Sequence, residues 1–313
     1  MKEKLEQLLR GDIDDSPEAL SAHSRDASLF EVQPKLVVYP KDADDVSALV
    51  KFVSATKDFD PTISIAPRSA GTCMAGGSLG NSISLDSMKY LNTLGEVECT
   101  PAQSILPHFF GARPVIATGS VRVSPGVYYR DLEAKTLEKN LILPCFTASK
   151  NINAIGGMIG NNSGGELSLK YGKTQDYVEE LDVVLADGSQ ETFSEIPRKE
   201  AEHRALRDTL AGRIYRDMLA LLDRNRALIE AKRPRISKNS AGYNLWNISR
   251  VDQKTGTEYI DLSQVVVGSQ GTLAITTSAK LRLVENMEDE AHSGLLVAFL
   301  PDISNLGTMV DEI

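Results

Sequence analysis

The sequence predicts a mixed fold of β-strands and α-helices organised around three glycine-rich segments. Three observations predict it. Short apolar runs bounded by Pro, Gly and Asp alternate with amphipathic stretches of helical period, and the first of them read as β-α-β. Glycines cluster at 67–80, 155–165 and 265–275, each cluster beside strand material. Of 313 residues, 42% are hydrophobic and 25% charged, an ordinary globular composition in a chain long enough to bury a sizeable core.

Residues 1–30 read as a short helix and a loop. Leu36-Val37-Val38-Tyr39 is an apolar run closed by Pro40, which suits a buried strand. Asp42, Asp44 and Asp45 then open a helix carrying Val46, Leu49, Val50 and Val53 at helical spacing, with acidic residues where the helix dipole favours them. Ile63 to Ala66 is a second strand, running into the first glycine loop, and Ile83-Ser84-Leu85 is a third. Val115 to Val123 reads as strand, 128–139 as helix, Leu141 to Pro144 as extended chain, and Glu180 to Ala186 as a strand ended by the turn Asp187-Gly188. Residues 198–231 predict a long helix with Leu206, Leu210, Ile214, Met218, Leu221 and Leu222 on one face. Val265 to Val267 and Leu273 to Thr277 predict strands on either side of the third glycine segment. Leu295 to Leu300 reads as a new strand and Ile303 to Ile313 as the start of a helix. A β-then-α start without a return strand leaves an unpaired edge, so a further domain that is cut off is expected to open near residue 286.

Charge and cysteine usage exclude several classes of function. Lys+Arg number 34 and Asp+Glu 43, a net charge of −9, which disfavours nucleic acid and anionic membrane as partners. The basic stretch Lys232-Arg233-Pro234-Arg235 with Lys238 is short and reads as a solvated loop. Cys73, Cys99 and Cys145 are odd in number, widely spaced and without Cys/His metal spacing, which suits a reducing compartment and no metal site. The polar N-terminus MKEKLEQLLRGDIDD lacks the apolar segment of a secretory signal, and no window is apolar enough to span a bilayer. A cytoplasmic location is expected, with peripheral contact at the inner membrane left open.

The first glycine segment, PRSAGTCMAGGSLG, sets Gly71, Gly76, Gly77 and Gly80 among Ser69, Thr72 and Ser78. Successive backbone N–H groups in such a loop can form an anion-binding nest, and the ligand this suggests is a diphosphate. It is neither a Walker A loop nor the Rossmann fingerprint. A glycine hairpin without a ligand is the competing reading. The second, IGGMIGNNSGG, has the composition of a poor helix and a poor strand. A flexible surface loop is one reading, while Ile155, Met158 and Ile159 argue for burial. The third, VVVGSQGTLAI, reads by itself as a hairpin with a turn.

Taken together, PRSAGTCMAGG, PCFTASKNINAIGGMIGNNSGG, KYGKTQDYVEELDVVLADGS and VVVGSQGTLAITTSAKLRL resemble the FAD-binding region of the vanillyl-alcohol oxidase / p-cresol methylhydroxylase superfamily, and within it the FAD-linked D-lactate and glycolate dehydrogenases. The resemblance covers roughly residues 34–285. It implies an α+β fold, a PCMH-type FAD-binding domain of two α/β subdomains at about 34–90 and 91–285 with FAD between them, after an N-terminal lead-in of 1–33 and before the start of a cap domain at 286–313. It implies that the backbone around Arg68, Ser69, Ala70, Gly71, Thr72, Gly76, Gly77 and Ser78 binds the pyrophosphate. Ser149, Gly156, Gly157, Gly160, Asn162, Ser163 and Gly164 would line the rest of the cofactor, with Gly268, Gly271 and Ile275 near the adenosine or the flavin edge.

Some members carry a histidine in the first loop that bonds covalently to the flavin. Thr72 stands there in this sequence, so non-covalent FAD is expected; Cys73 beside it reads as a small buried residue, with a thiol near the cofactor as the alternative. Residues 233–246, RPRISKNSAGYNLW, look like an insertion. By likeness to related dehydrogenases, Lys238, Asn239 and Tyr243, with Asn244, could meet flavin or a carboxylate substrate. A loop packed by Tyr243 and Trp246 is the alternative. His23, His108, His203 and His292 lie outside the glycine motifs and read as structural, and no catalytic residue is assigned. The implied activity is oxidation of a 2-hydroxy acid by hydride transfer to flavin N5, with a quinone, cytochrome or electron-transfer protein as acceptor. An alcohol or sugar oxidase or a reductase on the same fold, and an electron-transfer module without its own turnover, are the alternatives.

Overall fold

A computed structural model describes residues 1–99, 117–236, 239, 241–286, 297, 299–300, 302–304 and 306–312. The chain opens with α1 (Lys2–Glu6), β1 (Asp12–Asp14), α2 (Pro17–His23), β2 (Leu36–Tyr39), α3 (Ala43–Thr56), β3 (Ile65–Arg68) and β4 (Ile83–Asp86). These strands form a sheet of order β1-β2-β4-β3 in which β2, β4 and β3 are parallel and β1 is antiparallel. Parallel strands covered on both faces read as continuous apolar runs, and Leu36, Val37 and Val38 are all buried. The α3 helix covers them with Val46, Leu49, Val50 and Val53, and the Asp42 side chain accepts the N–H groups of Asp44 and Asp45 at its start. β1 was not expected. Its sequence, Asp-Ile-Asp, is too short and polar to show a period, and pairing with β2 creates it.

The larger part comprises β5 (Leu94–Cys99), β6 (Ala117–Val123), α4 (Tyr129–Leu137), β7 (Leu141–Ile142), α5 (Ile155–Asn161), α6 (Ser168–Tyr171), β8 (Val178–Val184), β9 (Gln190–Pro197), α7 (Arg198–Arg204), α8 (Leu210–Lys232), β10 (Ser249–Val251), β11 (Glu258–Asp261), α9 (Ser263–Val266) and β12 (Ile275–Glu285). Its antiparallel sheet has the order β10-β11-β9-β8-β12-β6-β5, with β7 also on β12. β12 is central: it pairs with β8 on one side and β6 on the other, and Ile275, Thr277, Ala279 and Leu281 alternate inward. Tyr129, Tyr177, Tyr215 and Phe193 are fully buried beneath it. Val184 and Ile275 belong to this sheet yet pack in the core of the small one, so the two units share apolar contact.

Several elements differ from expectation for identifiable reasons. β5 and β9 were not read from the sequence. In β9 the inward Phe193 and Ile196 are separated by charged and polar residues that face out. The predicted helix 198–231 is two helices. Thr209 caps α8 by accepting the Gly212 N–H at 3.1 Å. Leu206 and Leu221 are exposed, and the fully buried face is Ala211, Tyr215, Leu219 and Leu222, with Leu210, Ile214 and Met218 packed at its border. Val265 and Val266 lie in α9 rather than a strand, since a short buried apolar run has no period to distinguish the two. The expected strand at 295–300 falls partly outside the described residues, and 297, 299 and 300 are not in a strand. Helix α10 (Leu306–Glu312) lies within the predicted 303–313. Among the described residues no helix is long and apolar enough to cross a membrane.

A chain of buried polar side chains runs under the larger sheet. Asn162 Nδ2 donates to Gln175 Oε1 at 2.5 Å and Asn244 Nδ2 to the same oxygen at 2.9 Å. Gln264 Nε2 donates to the Gln175 carbonyl at 3.1 Å and to Asp261 at 3.3 Å. Burial pushes the Asp261 carboxyl up to about 6, opposed by hydrogen bonds from Ser263 and Gln264. The folded state therefore binds this proton more tightly than the unfolded chain, whose carboxyl has the ordinary value near 3.8. Its contribution to stability falls as pH rises through that interval. Asp261→Asn should reduce the loss of stability between about pH 4 and about pH 7 by up to about 3 kcal/mol, at roughly 1.4 kcal/mol per unit. Urea titrations of both proteins at the two pH values check this, and identical losses would rule it out.

Candidate functional site

The three glycine segments meet around one cavity of about 800 Å³ between the small sheet and α5. β3 delivers Arg68 to its edge, and the chain then turns through Gly71 at φ +67°. This first loop is pinned from the N-terminal side: the Ala27 N–H donates to the Gly71 carbonyl at 3.1 Å, and Ser78 Oγ donates to Asp26 at 3.0 Å. Ser69 Oγ lies 3.0 Å from Ser87 Oγ and 3.3 Å from the Pro125 carbonyl.

The second segment forms a helix, α5, contrary to its composition. Ile155, Met158 and Ile159 are buried and hold it in place. The Ile155 N–H donates to the Val127 carbonyl at 2.9 Å and the Gly156 N–H to Pro125 at 2.8 Å. Tertiary packing thus overrides a poor helix propensity. Glycine is required at 156, because a Cβ there would lie 2.5 Å from Ser69 Oγ and 2.6 Å from Pro125 Cβ. The helix ends at Asn162 in the left-handed conformation, φ 47°, which Asn tolerates.

The third segment is a turn between α9 and β12, not a hairpin. The N–H groups of Gly268 and Gln270 donate to the carbonyls of Ile159 and Gly160 at 2.9 and 3.0 Å, fastening it to α5. Gly271, at φ +80°, sits against Pro67, where a Cβ would be 2.6 Å from the ring. The Gln270 amide reaches across to Gly77, whose Cβ would lie 2.3 Å from Oε1.

Most of the residues singled out from the sequence line this cavity: Arg68, Ser69, Ala70, Gly71 and Thr72, then Gly77 and Ser78, then Ser149, Gly156, Gly157, Gly160, Ser163 and Gly164, and finally Gly271 and Ile275. Gly76, Asn162 and Gly268 do not. Gly76 faces the Phe30 ring, Asn162 is committed to Gln175, and Gly268 lies against Asn162. Cys73 is half-buried in the cavity wall rather than buried among apolar groups. Of the substrate candidates, Lys238 lies outside the described residues. The Asn239 carbonyl accepts from Lys173, Tyr243 Oη is 2.9 Å from Thr272 Oγ1, and neither residue reaches the cavity. Asn244 belongs to the buried amide chain. His23 and His203 line no part of it either, and His108 and His292 lie outside the described residues. Sequence reasoning missed Pro125, Thr147, Asn153 and Gln270. Thr147 and Asn153 sit inside a stretch already marked by its likeness, whereas Pro125 and Gln270 reach the wall only through folding.

The wall carries one strong electrostatic feature. Arg68 Nη1 is buried and has no hydrogen-bond partner. Burial pushes its guanidinium below the ordinary value, and the carboxylates of Asp86 and Asp26 pull it back up. Asn153 Oδ1 is also buried without a partner, while its Nδ2 donates to Thr147 Oγ1 at 2.8 Å. A second cleft of about 590 Å³ near Lys41, Arg204 and Glu191 has, among the described residues, no buried side-chain polar atom without a partner, and there Arg204 and Arg207 lie 3.8 and 3.7 Å from Glu191. Among the described residues no group of His, Cys, Asp and Glu could hold a metal ion.

Comparison with known proteins agrees with this arrangement. Residues 34–194, just over half of the chain, match the family described as FAD binding domain. The chain is 30% identical over 258 residues to D-2-hydroxyglutarate dehydrogenase of Pantoea ananatis, covering 82% of this chain and 23% of that protein. It is 27% identical over 318 residues to the glycolate oxidase subunit GlcD of Bacillus subtilis, covering all of this chain and 50% of that one. It therefore spans about a quarter to a half of the length of these relatives. Among solved structures, a Physcomitrella patens BBE-like 1 variant shares the fold with a TM-score of 0.54 at 14% identity, over 91% of this chain and 44% of that one. A fold built from three converging glycine segments and a sequence match over most of the same residues lead to one assignment: the chain belongs to the FAD binding domain family of the p-cresol methylhydroxylase type.

Proposed function

We propose that the cavity holds FAD without a covalent bond, and that the chain serves the oxidation of a 2-hydroxy acid such as D-lactate, glycolate or D-2-hydroxyglutarate. The observation that carries the flavin reading is the Arg68 guanidinium, whose Nη1 is buried without a partner in a wall where the three glycine segments converge. At about 800 Å³ the cavity has the size of a cofactor site, within the usual range of roughly 300–1,000 Å³. Arg68 and the first-loop N–H groups suit a diphosphate, by charge-assisted hydrogen bonds and a backbone nest. Gly157 presents open space where a side chain would intrude, so the backbone of α5 can approach a ligand. The hydroxyls of Ser149 and Ser163 and the Asn153 amide oxygen are positioned in the wall for ribityl or ring donors. Thr72 offers only a hydroxyl there, a weak nucleophile at its ordinary pKa. Bound FAD supplies the hydride acceptor, and the protein supplies binding and orientation. The 2-hydroxy acid is supported by the relatives' activities, and a quinone, cytochrome or electron-transfer protein completes the reading as electron acceptor.

An absorbance spectrum of the purified chain with FAD added, before and after denaturation and removal of protein, tests this. Flavin bands that move wholly into the supernatant are expected. Colour that stays with the protein refutes the non-covalent reading, and no flavin uptake refutes the site. Little or no turnover of the three acids is expected of this chain alone, which spans about a quarter to a half of the relatives it matches; a longer form whose flavin none of the three acids bleaches would count against the substrate class. Arg68→Met should weaken FAD binding roughly ten- to a hundredfold, the worth of a charged hydrogen bond, with the melting temperature of the FAD-free protein unchanged. Gly156→Ala should lower both affinity and stability, the latter by about 1–3 kcal/mol, because it forces α5 away from Ser69 and Pro125. Titration by flavin fluorescence with parallel melting curves distinguishes the two effects.

A further inference from the structure

Arg68 has a carboxylate beside it and does not use it. Arg68 ends β3 and Asp86 ends β4, and the two are register partners in a parallel pair. Such partners project to the same face roughly 5 Å apart, and the guanidinium fork matches a carboxylate, so an Arg68–Asp86 ion pair is the default expectation. Neither a hydrogen bond nor an ion pair joins them, and Arg68 Nη1 is left buried and open.

Asp86 is occupied from the other side. His23, the last residue of α2, is buried and places Nε2 2.9 Å from Asp86 Oδ2. Its other nitrogen lies 2.8 Å from the Ala19 carbonyl within α2, and the Tyr39 ring stands edge-on at 5.9 Å, so the imidazole has one orientation. The remaining Asp86 oxygen accepts the Met88 N–H at 2.6 Å. Asp26, the second carboxylate near the guanidinium, is likewise engaged, with Ser28 N–H at 2.8 Å and Ser78 Oγ at 3.0 Å.

We propose that His23 is a positioning residue: by holding Asp86 it keeps the Arg68 guanidinium unpaired, so that its donors remain available to an anionic diphosphate. This rests on the reading that Arg68 binds the FAD diphosphate. The two carboxylates favour the cation through space, and His23 prevents the nearer one from capturing it. The N-terminal lead-in thereby sets the affinity of a cavity that His23 does not line.

The test is FAD binding by the full chain, followed by fluorescence titration, with far-ultraviolet circular dichroism as the check on folding. His23→Leu removes the donor and should weaken FAD roughly tenfold, approaching the effect of Arg68→Met. His23→Gln, which keeps an N–H able to reach Asp86, should retain most of the affinity. The double variant His23→Leu/Asp86→Asn should recover it, because the carboxylate that would capture Arg68 has lost its charge. A purely structural role for His23 predicts the opposite, a double variant weaker than either single one, and that result overturns the proposal. So does an undiminished affinity in His23→Leu. Equal binding by Arg68→Met and the unaltered chain would instead overturn the assignment of Arg68 to the diphosphate, and this proposal with it.

Discussion

The structure depends on the close approach of three backbone segments that only glycine permits. Gly156 lets α5 lie against Ser69 and Pro125, and Gly271 lets the α9–β12 turn lie against Pro67. A methyl group at either position would sit less than 3 Å from its neighbour. At the cavity the three segments therefore meet by main chain, while Val184 and Ile275 join the two sheets by apolar side chains. That leaves a cavity whose largely apolar wall is interrupted by glycines, by small hydroxyls and by the Arg68 guanidinium, a lining suited to a cofactor with a phosphate group.

Glycine-rich segments lose more conformational entropy on ordering than other sequence, so they must be held from outside. The molecule does this with polar groups as well as apolar anchors. Gly268 and Gln270 donate into the C-terminal half of α5, and the chain from Asn162 through Gln175 to Asn244 and Gln264 ties that helix to the loop after α8 and to α9. Tyr243 and Asn244 take their place as part of this support rather than in the wall of the cavity. Tyr243 buttresses Thr272 in the third segment, and Asn244 completes the buried amide chain.

On the opposite side the N-terminal lead-in plays the matching part. The residues after α2 grip the first glycine loop through Ala27 and Asp26, and His23 at the end of α2 holds Asp86 at the end of β4. The family match begins at residue 34, after this lead-in. The stretch that matches the flavin-binding family and the helix that carries His23 thus come from separate parts of the chain.

The sequence by itself determined the α+β class, the flavin family and the three glycine segments that converge on the cavity. Glycine spacing and the order of apolar runs are local properties, and a close backbone approach demands glycine wherever it occurs. It also determined α3, whose capping aspartate and apolar period agree. Only the tertiary structure decided that IGGMIGN is a helix, because Ile155, Met158 and Ile159 pay through burial what its glycines lose. It decided that Val265 and Val266 are helical and that β1, β5 and β9 exist, since short or half-polar strands acquire their conformation from a partner's hydrogen bonds. It also decided that Asn162 and Asn244 are supports and that Arg68 stands unpaired. Which neighbour a polar side chain finds depends on register and packing across distant residues, and no single stretch of sequence encodes that.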